Sequence, residues 1–187
     1  MKLEDKILKG SIEVFKEKGV KFTMDDLSKN LGMSKRTLYE VVENKESLLL
    51  DAIDDVFDKI NKDKMKIYND KGLNDIERLK SLMAFLPESL DIFDYSRIYE
   101  VKRFYPKVYE KIRVRLDKGW EQALELLNNC IDKGLIKPVN TLLIKHMIIG
   151  CINELLENDF LYKENRDYKK AYKDVIDIII KGIETNE

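Results

Sequence analysis

The sequence has little of the chemistry on which most enzymes and metalloproteins depend. Among its 187 residues are one histidine, two cysteines, three prolines and eight glycines. A lone histidine without aspartate or cysteine at ligand spacing does not make a metal site, and the sequence has no Ser/His/Asp set and no glycine-rich phosphate loop. Cys130 and Cys151 lack paired spacing, which indicates reduced core thiols. We therefore expect no metal and no cofactor, and an enzyme with its active site in a helical body is the least supported alternative.

Long hydrophobic runs and an excess of one charge sign are also missing. The most apolar run, residues 175–183, is about half the length of a membrane span and contains Asp177 and Lys181. The N-terminus alternates charged and apolar residues, unlike a signal peptide. The net charge is −1, and residues 1–50 carry ten Lys and Arg against nine Asp and Glu. We expect a cytoplasmic protein with no membrane partner, in which any anion-binding surface is local.

What the sequence does contain is helical periodicity. It is 44% hydrophobic and 37% charged, its apolar residues recur at steps of three and four, and strand-type alternation is absent. This predicts an all-α fold of about nine helices, with a three-helix head, a long fourth helix and a helical-bundle body. The predicted domains are 1–60 and 61–187. The predicted helices after the head begin after Asn44, at Asn74 and after Pro87, and then span 104–133, 140–158 and 167–183.

Gly10 lies inside the first predicted helix, which runs from about Leu3 to Gly19. A glycine there costs about 0.5–1 kcal/mol relative to alanine. We expect that another helix approaches closely at this position.

Two short helices follow, joined by the segment "LGMS". Thr23 is placed as the N-cap of the second helix with Asp26 three residues on, Gly32 ends that helix, and Ser34 caps the third. This spacing predicts a helix-turn-helix over about residues 23–42.

The third helix has two unlike faces. Projection at about 100° per residue puts Leu38, Val41 and Val42 on one side. The opposite side carries Lys35, Arg36, Tyr39 and Glu40. Lysine and arginine can donate to guanine edges in the major groove, and Thr37 and Tyr39 can reach a base or a phosphate. This pattern favours binding to double-stranded DNA over a merely solvated helix face.

Lys45 supports the same interpretation. It stands where the fourth helix begins, although a cation is unfavourable at a helix N-terminus. An anion between the two positive groups would resolve the conflict, and we expect that anion to be a DNA phosphate.

Residues 7–49, "ILKGSIEVFKEKGVKFTMDDLSKNLGMSKRTLYEVVENKESLL", resemble the DNA-binding head of TetR-type transcriptional regulators. The resemblance implies an all-helical bacterial homodimer that binds operator DNA through its head and a ligand through its body, most often as a repressor. It implies base-facing positions for Lys35 and Arg36 and backbone contacts for Thr37, Tyr39 and Lys45, with Thr23 near a phosphate. Val41 and Val42 replace the frequent histidine and aromatic residue. Glu40 faces the groove and could accept from a cytosine amino group.

The body offers candidates for a ligand pocket and for a dimer interface. Aromatic residues concentrate between Phe93 and Trp120, which predicts a pocket for a small apolar or aromatic effector. Its candidate lining is Met83, Phe85, Phe93, Tyr95, Tyr99, Phe104, Tyr109, Trp120, His146 and Met147. The last two predicted helices have broad apolar stripes, which predict a four-helix dimer interface. Its candidates are Leu143, Met147, Ile148, Leu155, Val175, Ile176, Ile179 and Ile183.

The alternative to a regulator is a helical ligand-binding or protein-interaction module that does not bind DNA. The exposed pattern of Lys35, Arg36 and Tyr39 argues against it. Salt-dependent binding to DNA separates the two, because phosphate contacts release counterions.

Overall fold

The computed structural model describes residues 2–86, 95–157, 160–164 and 166–185. In this part of the chain the protein is all-α, as predicted. Besides a 3-10 turn at Gly19–Lys21, the helices are α1 Leu3–Lys18, α2 Met24–Leu31, α3 Lys35–Tyr39, α4 Lys45–Tyr68, α5 Asp75–Met83, α6 Tyr95–Phe104, α7 Pro106–Lys118, α8 Glu121–Asp132, α9 Thr141–Glu157, α10 Phe160–Lys163 and α11 Tyr168–Ile183. No helix among these described residues is long and apolar enough to cross a membrane.

The chain divides into two compact units, with one boundary inside α4 between Lys59 and Ile60. The first unit contains residues up to Lys59 together with the described residues of 88–114, which form α6 and most of α7. The second contains the described residues of 60–87 and 115–187.

The core of the first unit contains buried side chains from α1, α2, α3 and α4. Leu27 and Leu38 are fully buried, and Ile7 and Leu48 are almost so. A Cβ atom added to Gly10 would lie 2.5 Å from Cδ2 of Leu31, so glycine lets α2 approach α1 closely. This confirms the expectation for Gly10 and fixes the first helix of the helix-turn-helix against α1.

The second unit packs α5, α8, α9 and α11 around their apolar faces. Asn74 forms a capping box with Glu77 at the start of α5, as expected from the sequence. The Tyr172 hydroxyl on α11 donates to the Met83 carbonyl on α5, with 2.7 Å between the oxygens. Fully buried side chains from four helices form the core: Leu79, Leu127, Ile148, Ile176 and Ile180.

The helix predicted over 104–133 begins at Pro106 and is interrupted once, at Gly119 and Trp120 between α7 and α8. At this break the Lys64 ammonium of α4 donates to the Gly119 carbonyl, with 3.2 Å between the atoms. Burial lowers the pKa of this ammonium to about 8. This contact joins residues 55 positions apart in sequence, so local periodicity does not indicate it.

Candidate nucleic-acid interface

The N-terminus of α2 is capped as the sequence predicts. The Thr23 hydroxyl accepts from the Asp26 amide at 3.1 Å, and the Asp26 carboxylate accepts from the Thr23 amide at 2.8 Å. This reciprocal pair is a capping box. The pKa of the Asp26 carboxyl is held far below its usual range, chiefly by the Lys18 ammonium 2.5 Å away. The amide and the hydroxyl of Thr23, which both donate to this carboxylate, act in the same direction. The entrance to the helix-turn-helix is therefore fixed by local hydrogen bonds.

The turn between α2 and α3 is also set by its own residues. Gly32 has φ 64° and ψ 34°, the left-handed conformation that glycine adopts with least strain. Ser34 then caps α3, because its hydroxyl accepts from the Thr37 amide at 3.1 Å. The Thr37 hydroxyl lies 2.9 Å from the same oxygen, so Ser34 and Thr37 form one small polar cluster beside the start of α3.

α3 buries one side chain and presents the others to solvent. Leu38 is 0% exposed, whereas the Arg36 side chain is 90% exposed and the Tyr39 ring is about half exposed. Lys35 and Glu40 are exposed as well. The predicted division of faces is confirmed for these residues. It is wrong for Val41, which is exposed because α3 ends at Tyr39 and the chain turns there, while Val42 is buried.

The two cations of α3 have acidic neighbours. The Lys35 ammonium lies 2.9 Å from the Asp25 carboxylate, a contact that raises the pKa of Lys35 and lowers that of Asp25. Nε of Arg36 lies 3.4 Å from the Glu40 carboxylate one turn later. Exposed pairs of this kind add little to stability because solvent screens the two charges, so both cations remain available to an anionic partner.

Lys45 differs from the expectation that its ammonium meets a phosphate. The ammonium turns inward and donates to the carbonyl oxygens of Val20 and Phe22, just before the α2 cap. It also lies 4.1 Å from the centre of the Phe22 ring. Burial lowers the pKa of Lys45 to about 8, and the nearby Asp26 carboxylate acts in the opposite direction. The ammonium thus has partners within the protein, and these come from residues more than 20 positions away, which a local sequence pattern does not show.

The predicted ligand-pocket residues are divided between the two units and differ in burial. Tyr99, Phe104, His146 and Met147 are exposed, and Phe85 and Tyr109 are half-buried. Met83 and Trp120 belong to the buried core of the second unit. Phe93 and the Tyr95 side chain lie outside the described residues. A shared ligand pocket for these residues therefore stays a prediction.

A different cavity lies inside the first unit, between α1, α4, α6 and α7. Its volume is about 40 Å³, and about 10–15 Å³ suffices for one water. Its one polar lining residue, Ser11, already donates its hydroxyl to the Leu8 carbonyl at 2.7 Å. The lining is Ser11, Ile12, Phe15, Leu49, Ala52, Ile53, Val56, Val101, Val108 and Ile112. Sequence periodicity places such residues on inward faces but does not show where packing leaves a space.

The predicted interface residues divide into two groups. Ile148, Leu155 and Ile176 are buried within the second unit itself, so they are core residues in the structure. Leu143 and Met147 on α9 are exposed, and the α11 candidates Val175, Ile179 and Ile183 are half-buried. Two exposed apolar residues outside the predicted set lie on the same helices, Leu142 on α9 and Ile178 on α11. Solvent exposure is what distinguishes the two groups, and both show the same helical periodicity.

Comparison with known proteins identifies a related group. Residues 7–52 match the family described as bacterial regulatory proteins, tetR family. An HTH-type transcriptional regulator of Bacillus subtilis, YvaF, is 27% identical over 185 residues, covering 99% of this chain and 97% of YvaF. The HTH-type negative transcriptional regulator of the biofilm operon icaADBC in Staphylococcus epidermidis, IcaR, is 26% identical over 162 residues, covering 83% and 80% of the two chains.

The fold is shared with solved structures as well. The transcriptional regulator FadR of Bacillus subtilis, in complex with stearoyl-CoA, superimposes with a TM-score of 0.69 at 23% identity, covering 96% of this chain and 99% of that one. At this identity the likeness shows the fold.

Proposed function

We propose that this chain is a DNA-binding transcriptional regulator of the tetR type, which the match of residues 7–52 and the relatives YvaF and IcaR support. In this proposal the protein is a dimeric repressor that an apolar effector releases from its operator. It would act on DNA in the cytoplasm. The observation that carries the proposal is the exposed face of α3, where Lys35, Arg36 and Tyr39 stand on a helix anchored by buried Leu38.

The exposed face of α3 suits the major groove. Arg36 is almost fully exposed and can donate two parallel hydrogen bonds to a guanine edge, and Lys35 can reach the same groove. Thr23, Ser34, Thr37 and Tyr39 carry hydroxyls at the entrance and along the helix, where donors to phosphate fix the register of a protein on the duplex. Glu40, one turn beyond Arg36, is placed to accept from a cytosine amino group once the ion pair opens.

Homodimer formation is supported by the outer surfaces of α9 and α11. Leu142, Leu143 and Met147 on α9 and Ile178 on α11 are exposed. Apolar side chains grouped on a surface mark protein contacts. Gly150 and Gly182 on the same two helices have open space where a Cβ would stand. A second copy could approach closely there and form a four-helix contact.

An effector containing an alkyl chain is supported by the cavity of the first unit. The cavity is apolar, and its single hydroxyl is already bonded, so it would favour an apolar group over water. FadR of Bacillus subtilis, which shares this fold, was solved with stearoyl-CoA, whose stearoyl group is a long alkyl chain. At about 40 Å³ the cavity has room only for the end of an alkyl chain. Because it is lined by α1 as well as by α6 and α7, a longer occupant would have to move these helices apart and would shift helices that support the helix-turn-helix.

The experiment has two stages. DNA fragments that the purified protein retains from a random pool are sequenced, and binding of a retained fragment is titrated with stearoyl-CoA or with n-decanol at fixed salt. We expect both compounds to weaken binding, because an effector must prefer the arrangement that does not bind DNA. A protein that retains no sequence above background would contradict the regulator function, and binding unaffected by either compound would contradict the alkyl-chain effector.

Substitution of Ala52 by leucine should remove the response to both compounds. Ala52 is buried and lines the cavity, so the added carbons would occupy the space proposed for the ligand. Extra methylene groups in a packed core cost about 1–3 kcal/mol, and binding is therefore compared at a temperature where circular dichroism shows both proteins folded. Ala84→Leu, at a half-buried position in the second unit, is the matched control and should respond like wild type. A normal response in Ala52→Leu would place the effector elsewhere.

A further inference from the structure

Lys45 joins three parts of the first unit. It is the first residue of α4, yet its ammonium lies against the segment that leads into α2. Two of its three N–H donors are engaged by the carbonyl oxygens of Val20 and Phe22. These carbonyls belong to the residues immediately before Thr23, the cap of α2. The ammonium thereby holds the backbone at the entrance to the helix-turn-helix.

Two aromatic rings also face the Lys45 ammonium. The centre of the Phe22 ring is 4.1 Å away, and that of Tyr105 is 5.3 Å away. Both distances are within the range of about 6 Å for attraction between a cation and an aromatic ring. Tyr105 stands between the end of α6 and the start of α7, so it comes from a segment remote in sequence from the helix-turn-helix. The Lys45 ammonium therefore contacts both the segment before the α2 cap and the α6–α7 junction.

Two further contacts hold α6 and α7 beside α1 and the start of α4. The Lys107 ammonium of α7 lies 3.3 Å from the Glu46 carboxylate next to Lys45. The Arg97 guanidinium of α6 donates to the Lys16 carbonyl of α1 at 2.6 Å. Because these contacts flank Tyr105 in sequence, its ring is held at a fixed place relative to the start of α4. A displacement of the α6–α7 junction would therefore change the distance between the Tyr105 ring and the Lys45 ammonium.

We propose that Lys45 is a positioning residue for operator binding, which locks the entrance of α2 through the Val20 and Phe22 carbonyls and makes operator affinity depend on Tyr105. This rests on the DNA-binding function proposed above. It replaces the phosphate contact expected from the sequence with an internal role. The two roles differ in a measurable way, because a cation that faces the DNA contributes to counterion release, whereas an ammonium bound to carbonyls inside the protein does not.

The test compares Lys45→Met, Tyr105→Leu and the double variant on a retained DNA fragment, by fluorescence anisotropy at several salt concentrations. Each single substitution should lower operator affinity by about 3- to 30-fold, the range of one cation–ring contact. The slope of log affinity against log salt should stay at the wild-type value. The double variant should bind about as well as the weaker single variant, because both changes break the same contact.

Three controls make the outcome decisive. Lys35→Met removes an exposed cation from the face proposed to lie against DNA, where a cation displaces counterions whether it meets a base or a phosphate, and should make the salt slope shallower by about one unit, or two in a symmetric dimer. Tyr105→Phe keeps the ring and should restore affinity. Thermal unfolding followed by circular dichroism sets a temperature at which every variant is folded, and should Lys45→Met not fold, the Tyr105 variants decide alone.

Each result that would contradict the proposed role of Lys45 can be told apart from the others. A shallower salt slope in Lys45→Met, with Tyr105→Leu binding like wild type, would show that Lys45 contacts phosphate and would overturn the proposal. Multiplicative losses in the double variant would show that the two residues act separately. If wild type itself retains no specific DNA, the proposed function fails before this comparison is reached.

Discussion

Replacing Leu143 and Ile178 together by aspartate should turn the protein into a monomer and reduce operator affinity by about 100-fold or more. These side chains are 58% and 71% exposed, so carboxylates there are solvated in a monomer and do not disturb its core. In the proposed dimer they would be buried and unpaired, which is strongly unfavourable. The loss of affinity follows because a helix-turn-helix dimer binds two half-sites at once, about 34–36 Å apart.

Sedimentation at micromolar concentration measures the change in mass, and anisotropy titration measures operator binding. Val114→Asp, at an exposed apolar position of α7, is the control and should remain dimeric. A double aspartate variant that sediments like wild type would exclude this face as the interface. Ile148 is unsuitable for the same test, because it is fully buried within the second unit and a charge there would unfold the chain.

Replacing Leu38 by alanine should abolish sequence-specific binding while leaving most of the helical signal. Leu38 is the one buried residue of α3, a helix of five residues. Truncating a buried leucine to alanine costs about 2–5 kcal/mol, and so short a helix has little else to hold it against α2. α3 would then lose its fixed orientation, and Lys35 and Arg36 would lose their contacts with the operator.

The control for Leu38 is Val41→Ala. Val41 is exposed at the end of the same helix, and surface substitutions of this kind change stability by about 0.5 kcal/mol or less. Operator titration and thermal unfolding of both variants measure the difference. Wild-type operator affinity in Leu38→Ala would mean that α3 is held by contacts other than its buried leucine, and would contradict the proposed anchoring.

The features that sequence predicts well here are those determined by neighbours in the chain. The caps of α2 and α3 need only residues three positions apart, and both Thr23 and Ser34 act as predicted. Gly10 is also informative, because glycine is unfavourable inside a helix and its presence there predicts a close neighbour. In the structure that neighbour is the Leu31 side chain.

The features that sequence does not predict depend on distant residues. The Lys45 ammonium has internal partners because the chain folds Val20, Phe22 and Tyr105 around it. Val41 is exposed because the chain turns one residue after α3 ends. The same periodicity describes a core stripe and an outer stripe, so Ile148 and Leu143 are alike in sequence and differ in burial. The apolar cavity is a space left by the packing of four helices, for which no single segment carries a signal.

The most direct test of the central claim, that the exposed face of α3 reads bases, is a titration of wild type and Arg36→Ala against every single-base variant of a selected operator. A bidentate contact from Arg36 discriminates by about 1–3 kcal/mol against the wrong base. Arg36→Ala should therefore lose preference at one position in each half-site and keep it at the others. Glu40→Gln removes the charge that pairs with Arg36, whose Nε lies 3.4 Å from the Glu40 carboxylate. This variant should keep the base preference that Arg36 provides. If Arg36→Ala keeps every wild-type base preference, the face of α3 does not read the operator as proposed.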